Sequence, residues 1–319
     1  MKQYDKESIN NYKMKRIVLS LIFAYAFMFN VCAQKNMMHE LEYESFTSVK
    51  VSDEFVVKLY AADIYKVRTV VDARLDSYVK TYVQNGTLYI DLDRKSFPSD
   101  LKKALRTKGA PSPVLEVEVY FPSIKSLEMT GNTILHRSDI LYSDAFSLAV
   151  SDRARVDKIY VDCNTAEINL SKTAYADVEV KAADELYVIT SNNSKAVVKQ
   201  TGKGMKIDAA GSSIVNAIIE VERLNVLTVG TAVTTLVSGH AGSMKASAAG
   251  ASKIDAEAVS TSVADMSQAG TAKCYVNVTD TLRVNLTGNS MLTFKNKPYI
   301  DVERIIGSTL IKSDDPKRR

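Results

Sequence analysis

Residues 249–268 read AGASKIDAEAVSTSVADMSQ, and residues 269–288 read AGTAKCYVNVTDTLRVNLTG. Both stretches open with a block of small residues. Blocks of this kind, rich in Ser, Thr, Gly, Ala and Asn, occur nine times in the second half of the chain, at intervals of 18 to 21 residues. They begin at Thr130, Ser151, Ser171, Ser191, Ala210, Val229, Ala249, Ala269 and Thr287. Such regular spacing predicts a repeat architecture.

Apolar residues recur at fixed distances from each block. Five and seven residues after a block begins, most repeats are apolar, as at Ile254 and Ala256, and the position between them is mostly polar. Three and five residues before the next block, every repeat is apolar, as at Val284 and Leu282. Because alternation with a period of two indicates a strand with one buried face, each repeat is predicted to form two short strands.

Neither strand has enough apolar surface to be stable alone, so the repeats must stack, with equivalent residues about 4.8 Å apart. The sequence therefore predicts an all-β fold, a single-stranded parallel β-helix or β-solenoid with about 20 residues per coil. A leucine-rich horseshoe would need an Asn or Cys ladder, and helix-pair repeats are longer, at about 33 residues or more. Glycines at the second position of a block, such as Gly250 and Gly270, are expected at tight corners with positive φ.

An apolar stretch near the N-terminus has the layout of a secretory signal peptide. Residues 14–34 read MKRIVLSLIFAYAFMFNVCAQ, with two positive charges before the apolar run. We expect translation to start at Met14 and cleavage to follow Ala33, because the run is too short for a membrane anchor. Cys32 leaves lipoprotein anchoring as an alternative, although a bulky valine precedes it. The mature chain is expected to be exported to the periplasm, the cell surface or the medium, without a transmembrane segment.

Strand-like alternation also precedes the repeats, over residues 43–93. Asn85 and Gly86 lie between two alternating runs, which predicts a hairpin. Residues 94–113 form a polar connection with three prolines. We expect this N-terminal segment to cap the stack, because an open end would expose an unpaired strand. The predicted regions are a signal peptide at 1–33, an N-terminal β segment and cap at 34–125, solenoid repeats at 126–308 and a charged tail at 309–319.

The mature chain is predicted to be nearly neutral. Removal of residues 1–33 lowers the formal net charge from +4 to about +1. We therefore expect no nucleic-acid partner, because no basic footprint remains. Cys163 and Cys274 are the two remaining cysteines, and they lie in different columns about six coils apart, too far for a disulfide. Cys274 occupies an inward column, which predicts a small core residue.

Asp157 and Asp177 are the candidates for catalysis. They share an outward column in adjacent coils, so their carboxylates could lie about 5 Å apart, the separation typical of a retaining glycosidase. A carbohydrate-active enzyme of the hydrolase or lyase type is therefore the alternative function. Outward positions of solenoids are commonly charged, however, and Arg155 and Lys158 can neutralise the pair. Calcium would need six to eight oxygen ligands, which this run does not supply.

The remaining motifs favour binding over catalysis. The three histidines, His39, His136 and His240, lack metal-ligand spacing, and the sequence contains no nucleophile elbow or phosphate-binding loop. We expect no metal, no cofactor and no enzymatic activity. Exposed aromatic side chains offer contact area with a polar tip, which suits a glycan or a protein partner. The candidates are Tyr160, Tyr175, Tyr187 and Tyr275, which the alternative interpretation treats as single surface tyrosines.

Several segments together resemble a known family. They are SVKVSDEFVVKLY at 48–60, NGTLYIDL at 85–92, LEVEVYFPSIKSLEMTGN at 115–132 and TGNSMLTFKNKP at 287–298, with small-residue corners between them. The chain resembles the auto-transporter adhesin head domains of the GIN type, which are common in Bacteroidetes. The resemblance covers residues 46–298. It implies an exported β-solenoid named for adhesion, and it supplies no catalytic residues. Three corners depart from the family pattern, reading SDRA, SKTA and SNNS.

These observations combine into one functional hypothesis. The sequence predicts an exported, non-enzymatic β-solenoid that acts as an adhesin or surface binding module. Its extended β face is expected to meet a surface glycan or a protein.

Overall fold

The computed structural model of the protein describes residues 35–313. The predicted signal peptide and Cys32 lie outside these residues. The N-terminal strands are β1 Asn36–Glu42, β2 Ser48–Val51, β3 Val56–Ala61, β4 Lys66–Asp72, β5 Val79–Gln84, β6 Thr87–Leu92 and β7 Leu115–Phe121. One α-helix, α1, spans Ser99–Arg106, and short 3₁₀ turns lie at Asp76–Tyr78 and Arg94–Ser96.

The repeats supply the other strands. They are β8 Ser126–Met129, β9 Ile134–Ser138, β10 Leu141–Val150, β11 Arg155–Leu170, β12 Tyr175–Thr190, β13 Lys195–Ala209, β14 Ile214–Gly230, β15 Val233–Gly250, β16 Lys253–Gly270, β17 Lys273–Thr287, β18 Met291–Lys295, β19 Tyr299–Ile306 and β20 Leu310–Ser313. From β11 to β16 the two predicted strands of each repeat join into one long strand. The pairing register shifts after Cys163 in β11 and after Ala182 in β12, where the two predicted strands of the repeat join.

Successive coils stack in parallel and in register. Ala176 pairs with Val156 below it and with Ala196 above it, and Ala196 pairs in turn with Val215. The pairing continues through β17 to β18 and β19. The stack has about nine turns with a spacing of about 20 residues. The predicted β-solenoid is therefore confirmed.

The predicted apolar columns form the core. Ile168, Val188, Ile207 and Val226 lie one above another, and none is more than 3% exposed. Burying one such side chain contributes about 1.5 to 3 kcal/mol. Cys274 sits in an inward column between Ile254 and Leu292, as predicted. Because burial disfavours the thiolate, it raises the pKa of Cys274 to about 12.

Cys163 is the second buried free thiol among the described residues, and burial raises its pKa to about 11. It pairs with Ala182 of the next coil, near the bend where β11 shifts register. A thiol protonated at neutral pH is a weak nucleophile. Cys163 therefore serves as an apolar side chain in the core.

The corners have the predicted backbone geometry. Gly230, Gly250 and Gly270 have φ of 81°, 81° and 79°. A Cβ added at Gly250 would lie 2.8 Å from the carbonyl oxygen of Gly230 in the coil below. Glycine is needed here both for the positive φ and for the close approach of stacked corners.

The three corners without glycine keep the same backbone conformation. Asp152, Lys172 and Asn192 occupy the glycine position, with φ of 63°, 59° and 59°. Asn and Asp tolerate this left-handed region, whereas for Lys it is strained by about 1 to 2 kcal/mol. Backbone bonds maintain the stack, because the amide of Thr173 donates to the Asp152 carbonyl and that of Asn193 to the Lys172 carbonyl.

The N-terminal segment extends the stack as well as closing it. Strand β2 pairs in parallel with both β6 and β8, and β3 pairs in parallel with both β7 and β9. The coil formed by β2 and β3 therefore lies between the coil of β6 and β7 and the first repeat. The segment predicted to be a cap therefore contributes two coils of its own. The order of these coils in the stack differs from their order in the chain.

Antiparallel strands close this end. Strand β4 runs antiparallel along β7, and β5 runs antiparallel along β6. The turn between β5 and β6 is the hairpin predicted at Asn85 and Gly86. The predicted polar connection at 94–113 contains α1, whose Leu101 and Leu105 pack against the core.

At the other end, the predicted tail at 309–319 contains the strand β20, which pairs with β18. A strand at 310–313 was missed because its pairing partner is another coil, not a neighbour in sequence. Among the helices of the described range, none has the length and apolar character that crossing a bilayer requires.

Candidate functional site

The four predicted tyrosines lie in four different columns of the solenoid. Tyr160 pairs with Glu179, whereas Tyr187 pairs with Glu167 and Lys206. Tyr175 pairs with Arg155, and Tyr275 pairs with Asp255. The register therefore separates the four rings instead of lining them up in one aromatic strip.

Each of these rings has a cationic neighbour. The Arg155 guanidinium lies 4.5 Å from the Tyr175 ring centroid, and Lys253 Nζ lies 4.9 Å from that of Tyr275. Lys158 and Lys206 occupy similar positions at 4.9 Å and 6.0 Å over the other two rings. Tyr160 and Tyr187 are the more exposed pair, at 39% and 38%.

Tyr160 lines a groove of about 280 Å³ on the outer face of β11 to β13. Its apolar lining comes from Ile140, Tyr160, Val161 and Val180. Ile140 is 47% exposed. It belongs to the short link between β9 and β10, and it lines the groove together with Tyr160 of the next coil. The groove therefore combines the aromatic ring of Tyr160 with the solvent-exposed aliphatic side chain of Ile140.

Charged side chains form the rest of the groove, and they are paired between coils. Lys181 Nζ lies 3.1 Å from Asp162 Oδ2, and Lys199 Nζ donates to Glu179 Oε1 over 2.8 Å. The hydrogen bond from Lys199 lowers the pKa of Glu179, whose carboxylate also faces Lys158 at 3.6 Å. Exposed pairs of this kind contribute less than about 1 kcal/mol each to stability.

The charges have a chemical consequence for recognition. The groove combines carboxylate acceptors and ammonium donors with an aromatic ring, all carried by a stacked sheet. Sugar hydroxyls and polar peptide groups need such acceptors and donors, and the ring supplies apolar contact.

Asp157 and Asp177 both have cationic neighbours. Arg155 Nε donates to Asp157 Oδ1, and His136 Nδ1 lies 3.4 Å from Oδ2. The hydrogen bond from Arg155 lowers the pKa of Asp157. A general acid needs a raised pKa, so this shift has the wrong direction for that role. The pKa of Lys158 is raised by its hydrogen bond with Tyr160 and further by the charge of Asp177.

The histidines are dispersed, as their spacing predicts. His39 Nε2 lies 2.7 Å from Asp76 Oδ1, and His240 Nδ1 lies 3.1 Å from Ser260 Oγ. Between residues 35 and 313, no three side chains of His, Cys, Asp or Glu are grouped closely enough to hold a metal ion.

A second cleft lies at the corners with eroded sequences. It has a volume of about 330 Å³ and is lined in part by Asp53, Arg94, Asp152 and Lys172. Arg94 Nε binds Asp53 over 2.7 Å, and Lys172 Nζ binds Asp152. Unlike the groove, the cleft is lined by no aromatic or large aliphatic side chain of the described residues, which makes it a weaker candidate.

Sequence reasoning missed Ile140 and the neighbouring Tyr142, which is 62% exposed. Both belong to a short apolar stretch, with polar residues before and after it, in the run SDILYSD at 138–144. A large apolar residue at the end of a repeat's first strand was the available signal. The sequence could not show that the next coil would complete a groove beside it.

Comparison with known proteins places the chain among bacterial adhesin-like proteins. The family model described as "Putative auto-transporter adhesin, head GIN domain" matches residues 45–184 and 171–298. A putative adhesin from Parabacteroides merdae has a similar solved structure, with a TM-score of 0.50 and 15% sequence identity. The alignment covers 89% of this chain and 98% of that chain.

Two solved structures from Parabacteroides distasonis are also similar. One is a putative adhesin, with a TM-score of 0.46, 16% identity, and coverage of 88% of this chain and 98% of that chain. The other is a putative lipid binding protein, with a TM-score of 0.41, 18% identity, and coverage of 89% and 98%. No curated protein matches this chain. Since the two family matches together cover well over half of the 319 residues, the chain belongs to the auto-transporter adhesin head GIN domain family.

Proposed function

We propose that this protein is an exported, non-enzymatic adhesin module that binds a surface glycan or a protein through the groove around Tyr160. Membership of an adhesin-type family supports an adhesin-like role on an exported or surface protein. The observation that carries the proposal is the groove itself. It presents exposed Tyr160 and Ile140 between ion pairs on the outer face of the sheet.

The solenoid suits such a role because its binding face is rigid. Every strand that forms the groove pairs with its neighbours along its length, from β10 to β13. A preorganised face loses little conformational entropy when a ligand binds. Tyr160 would stack on a sugar ring or an apolar side chain, and the Lys and Glu side chains beside it would bind polar groups.

The charge state of Asp157 supports binding without turnover. The hydrogen bond from Arg155 lowers the pKa of Asp157, and His136 also contacts its carboxylate. Asp157 is therefore unsuited to act as the general acid of a retaining glycosidase, and we expect bound glycan to be recovered intact.

The test is a binding screen against surface polysaccharides, host matrix proteins and whole cells, followed by Tyr160→Ala. We expect this substitution to weaken binding at least tenfold, because it removes the aromatic surface at the centre of the groove. Tyr275→Ala is the matched control. It removes a ring with a similar lysine contact, in another column, and it should leave the affinity within about twofold of the wild type.

Equal loss in both variants would show that the groove is not the binding site. Binding that fails on every partner tested would contradict the proposed function. Release of reducing ends from a bound polysaccharide, abolished by Asp157→Asn combined with Asp177→Asn, would favour the enzymatic alternative.

A further inference from the structure

The last coil of the solenoid leaves an apolar face uncovered. Ile300, Val302 and Ile305 of β19 pair with Leu282, Val284 and Leu286 of β17, all of which are completely buried. The β19 residues continue the same inward columns, yet Val302 is 52% exposed and Ile305 is 45% exposed. They are exposed because no described strand stacks above them.

The backbone edge of this coil is open as well. Strand β19 pairs with β17 on one side, and β20 pairs with β18 on one side. Within residues 35–313, no strand pairs with the other edge of either. In β20, Ile311 pairs with the buried Leu292 and continues its inward column at the edge of the core. An unpaired strand edge beside an apolar patch is a template for another strand.

The charges of β19 make this edge complementary to itself. The register shift between Val284 and Asn285 leaves Glu303 as an extra residue, so that Asp301 and Arg304 both point outward. If two copies of β19 pair antiparallel about a two-fold axis between Val302 and Glu303, Asp301 faces Arg304 of the other copy. Ile300 then faces Ile305, so two apolar residues meet on the inward side, and at the axis Val302 faces Glu303 of the other copy.

We infer that two copies of this chain associate end to end through β19, in a two-fold symmetric dimer that continues the sheet and the core across the axis. A two-fold interface must be self-complementary, and β19 meets this requirement in hydrogen bonding, in apolar contact and in charge. The inference is independent of the Tyr160 groove, which lies on the outer face of coils far from this end.

The association is tested by measuring the mass of the purified protein by sedimentation over a range of concentrations. We expect a dimer that dissociates on dilution. Val302→Asp should raise the dimer Kd about a hundredfold, because symmetry places an aspartate opposite Glu303 of the other copy twice. Leu227→Asp is the matched control, since Leu227 is an exposed apolar residue on the outer face of the stack, at 42%. It should leave the Kd unchanged.

A charge exchange tests the register. Asp301→Arg places two arginines opposite each other and should weaken the dimer at least tenfold, and Arg304→Asp should do the same with two carboxylates. The double variant restores opposite charges and should recover most of the affinity. Arg283 lies 3.9 Å from Asp301 within the chain but also binds Asp265 at 2.9 Å, so it keeps a partner in every variant.

Three results would overturn the inference. One is a monomer at every concentration, and another is a dimer that Val302→Asp does not weaken. The third is a double variant no better than the single variants, which would exclude this pairing of β19. Circular dichroism of each variant establishes that the solenoid is folded before its mass is measured.

Discussion

The two ends of the solenoid differ in how the strand edge and the apolar core of the last coil are covered. At the N-terminal end, β4 and β5 run antiparallel to the coil beneath them, and Val67, Val71 and Leu75 are buried over its core. At the C-terminal end, β19 keeps the parallel direction of the stack, and its inward Val302 is half exposed. Within residues 35–313, antiparallel strands cover one end, whereas at the other end the outer edge of β19 pairs with no strand.

This difference shows what closing a stack of identical coils requires. A parallel coil always offers its successor the same edge and the same apolar columns, so another parallel coil cannot end the stack. Reversal of strand direction interrupts this pattern, because an antiparallel strand does not present the repeat to a further coil, and only β1 pairs with β4 beyond it among the described strands. Stacked rings cover the outer side of the reversed region, with Tyr82 and Tyr89 at a centroid distance of 5.0 Å.

The largest expected effect contrasts the same substitution at the two ends. Val71→Asp buries a carboxylate in the closed end, where the wild-type side chain is fully buried, and should lower the free energy of unfolding by about 4 kcal/mol. Val302→Asp leaves its carboxylate in water and should lower that free energy by less than about 1 kcal/mol. Urea denaturation at concentrations where the protein is monomeric measures both.

Equal destabilisation by the two substitutions would mean that the C-terminal coil is covered in solution even in the monomer. Val71→Ile, which adds one methylene without charge, serves as the control for crowding at the closed end.

A smaller effect distinguishes the corners near the two ends. Gly250→Ala places a Cβ at positive φ, 2.8 Å from the Gly230 carbonyl oxygen, and should lower the free energy of unfolding by about 2 kcal/mol. Lys172→Ala is the matched substitution at an eroded corner nearer the N-terminus. This backbone already carries a Cβ, so only the exposed ion pair with Asp152 is lost, and the change should stay below about 0.5 kcal/mol.

Thermal and urea unfolding of the two alanine variants give these values. A loss at Lys172→Ala as large as that at Gly250→Ala would contradict the view that the left-handed strain at residue 172 is already present in the native state.

The smallest expected effect is a pH dependence specific to the closed end. The hydrogen bond from Lys80, with a further one from Ser96, lowers the pKa of Asp93 to about 2. A carboxylate with a lowered folded-state pKa stabilises the fold above its unfolded value, about 3.9, and this contribution is lost as the pH falls towards 2. Asp93→Asn should therefore be less stable than the wild type at pH 5 to 7.

The difference between the wild type and Asp93→Asn should shrink between about pH 4 and pH 2, as followed by urea midpoints at each pH. Lys80→Gln removes the main partner of Asp93 and should reproduce part of the same pH dependence. A difference independent of pH would show that the Asn side chain acts through packing and not through charge.

Sequence periodicity was sufficient to predict most of the core. The columns containing Val156, Val226 and Cys274 are buried as the alternation predicts, because stacking in register gives equal positions in each coil the same environment. The positive φ at Gly250 followed from the absence of a Cβ. The same conformation at Lys172 was not predictable from residue type, since the neighbouring corners impose it.

The candidate site was only partly predictable. Tyr160 stood out as an aromatic residue on an outward position, but three other tyrosines stood out equally. What distinguishes Tyr160 is Ile140 from the previous coil and the pairing of Glu179 with Lys199 above it. These contacts join residues about 20 positions apart, and pattern analysis of a single repeat does not contain them.

By itself, the sequence determined the strand period, the corner positions and the identity of the inward side chains, because each depends on local alternation and on backbone freedom within one repeat. Only the tertiary structure decided the order of the N-terminal coils, with β2 and β3 inserted between β6–β7 and β8–β9, and the contrast between a closed and an open end. The physical reason is that stacked coils offer nearly equivalent edges. Long-range strand pairing, which no local pattern encodes, selects among them.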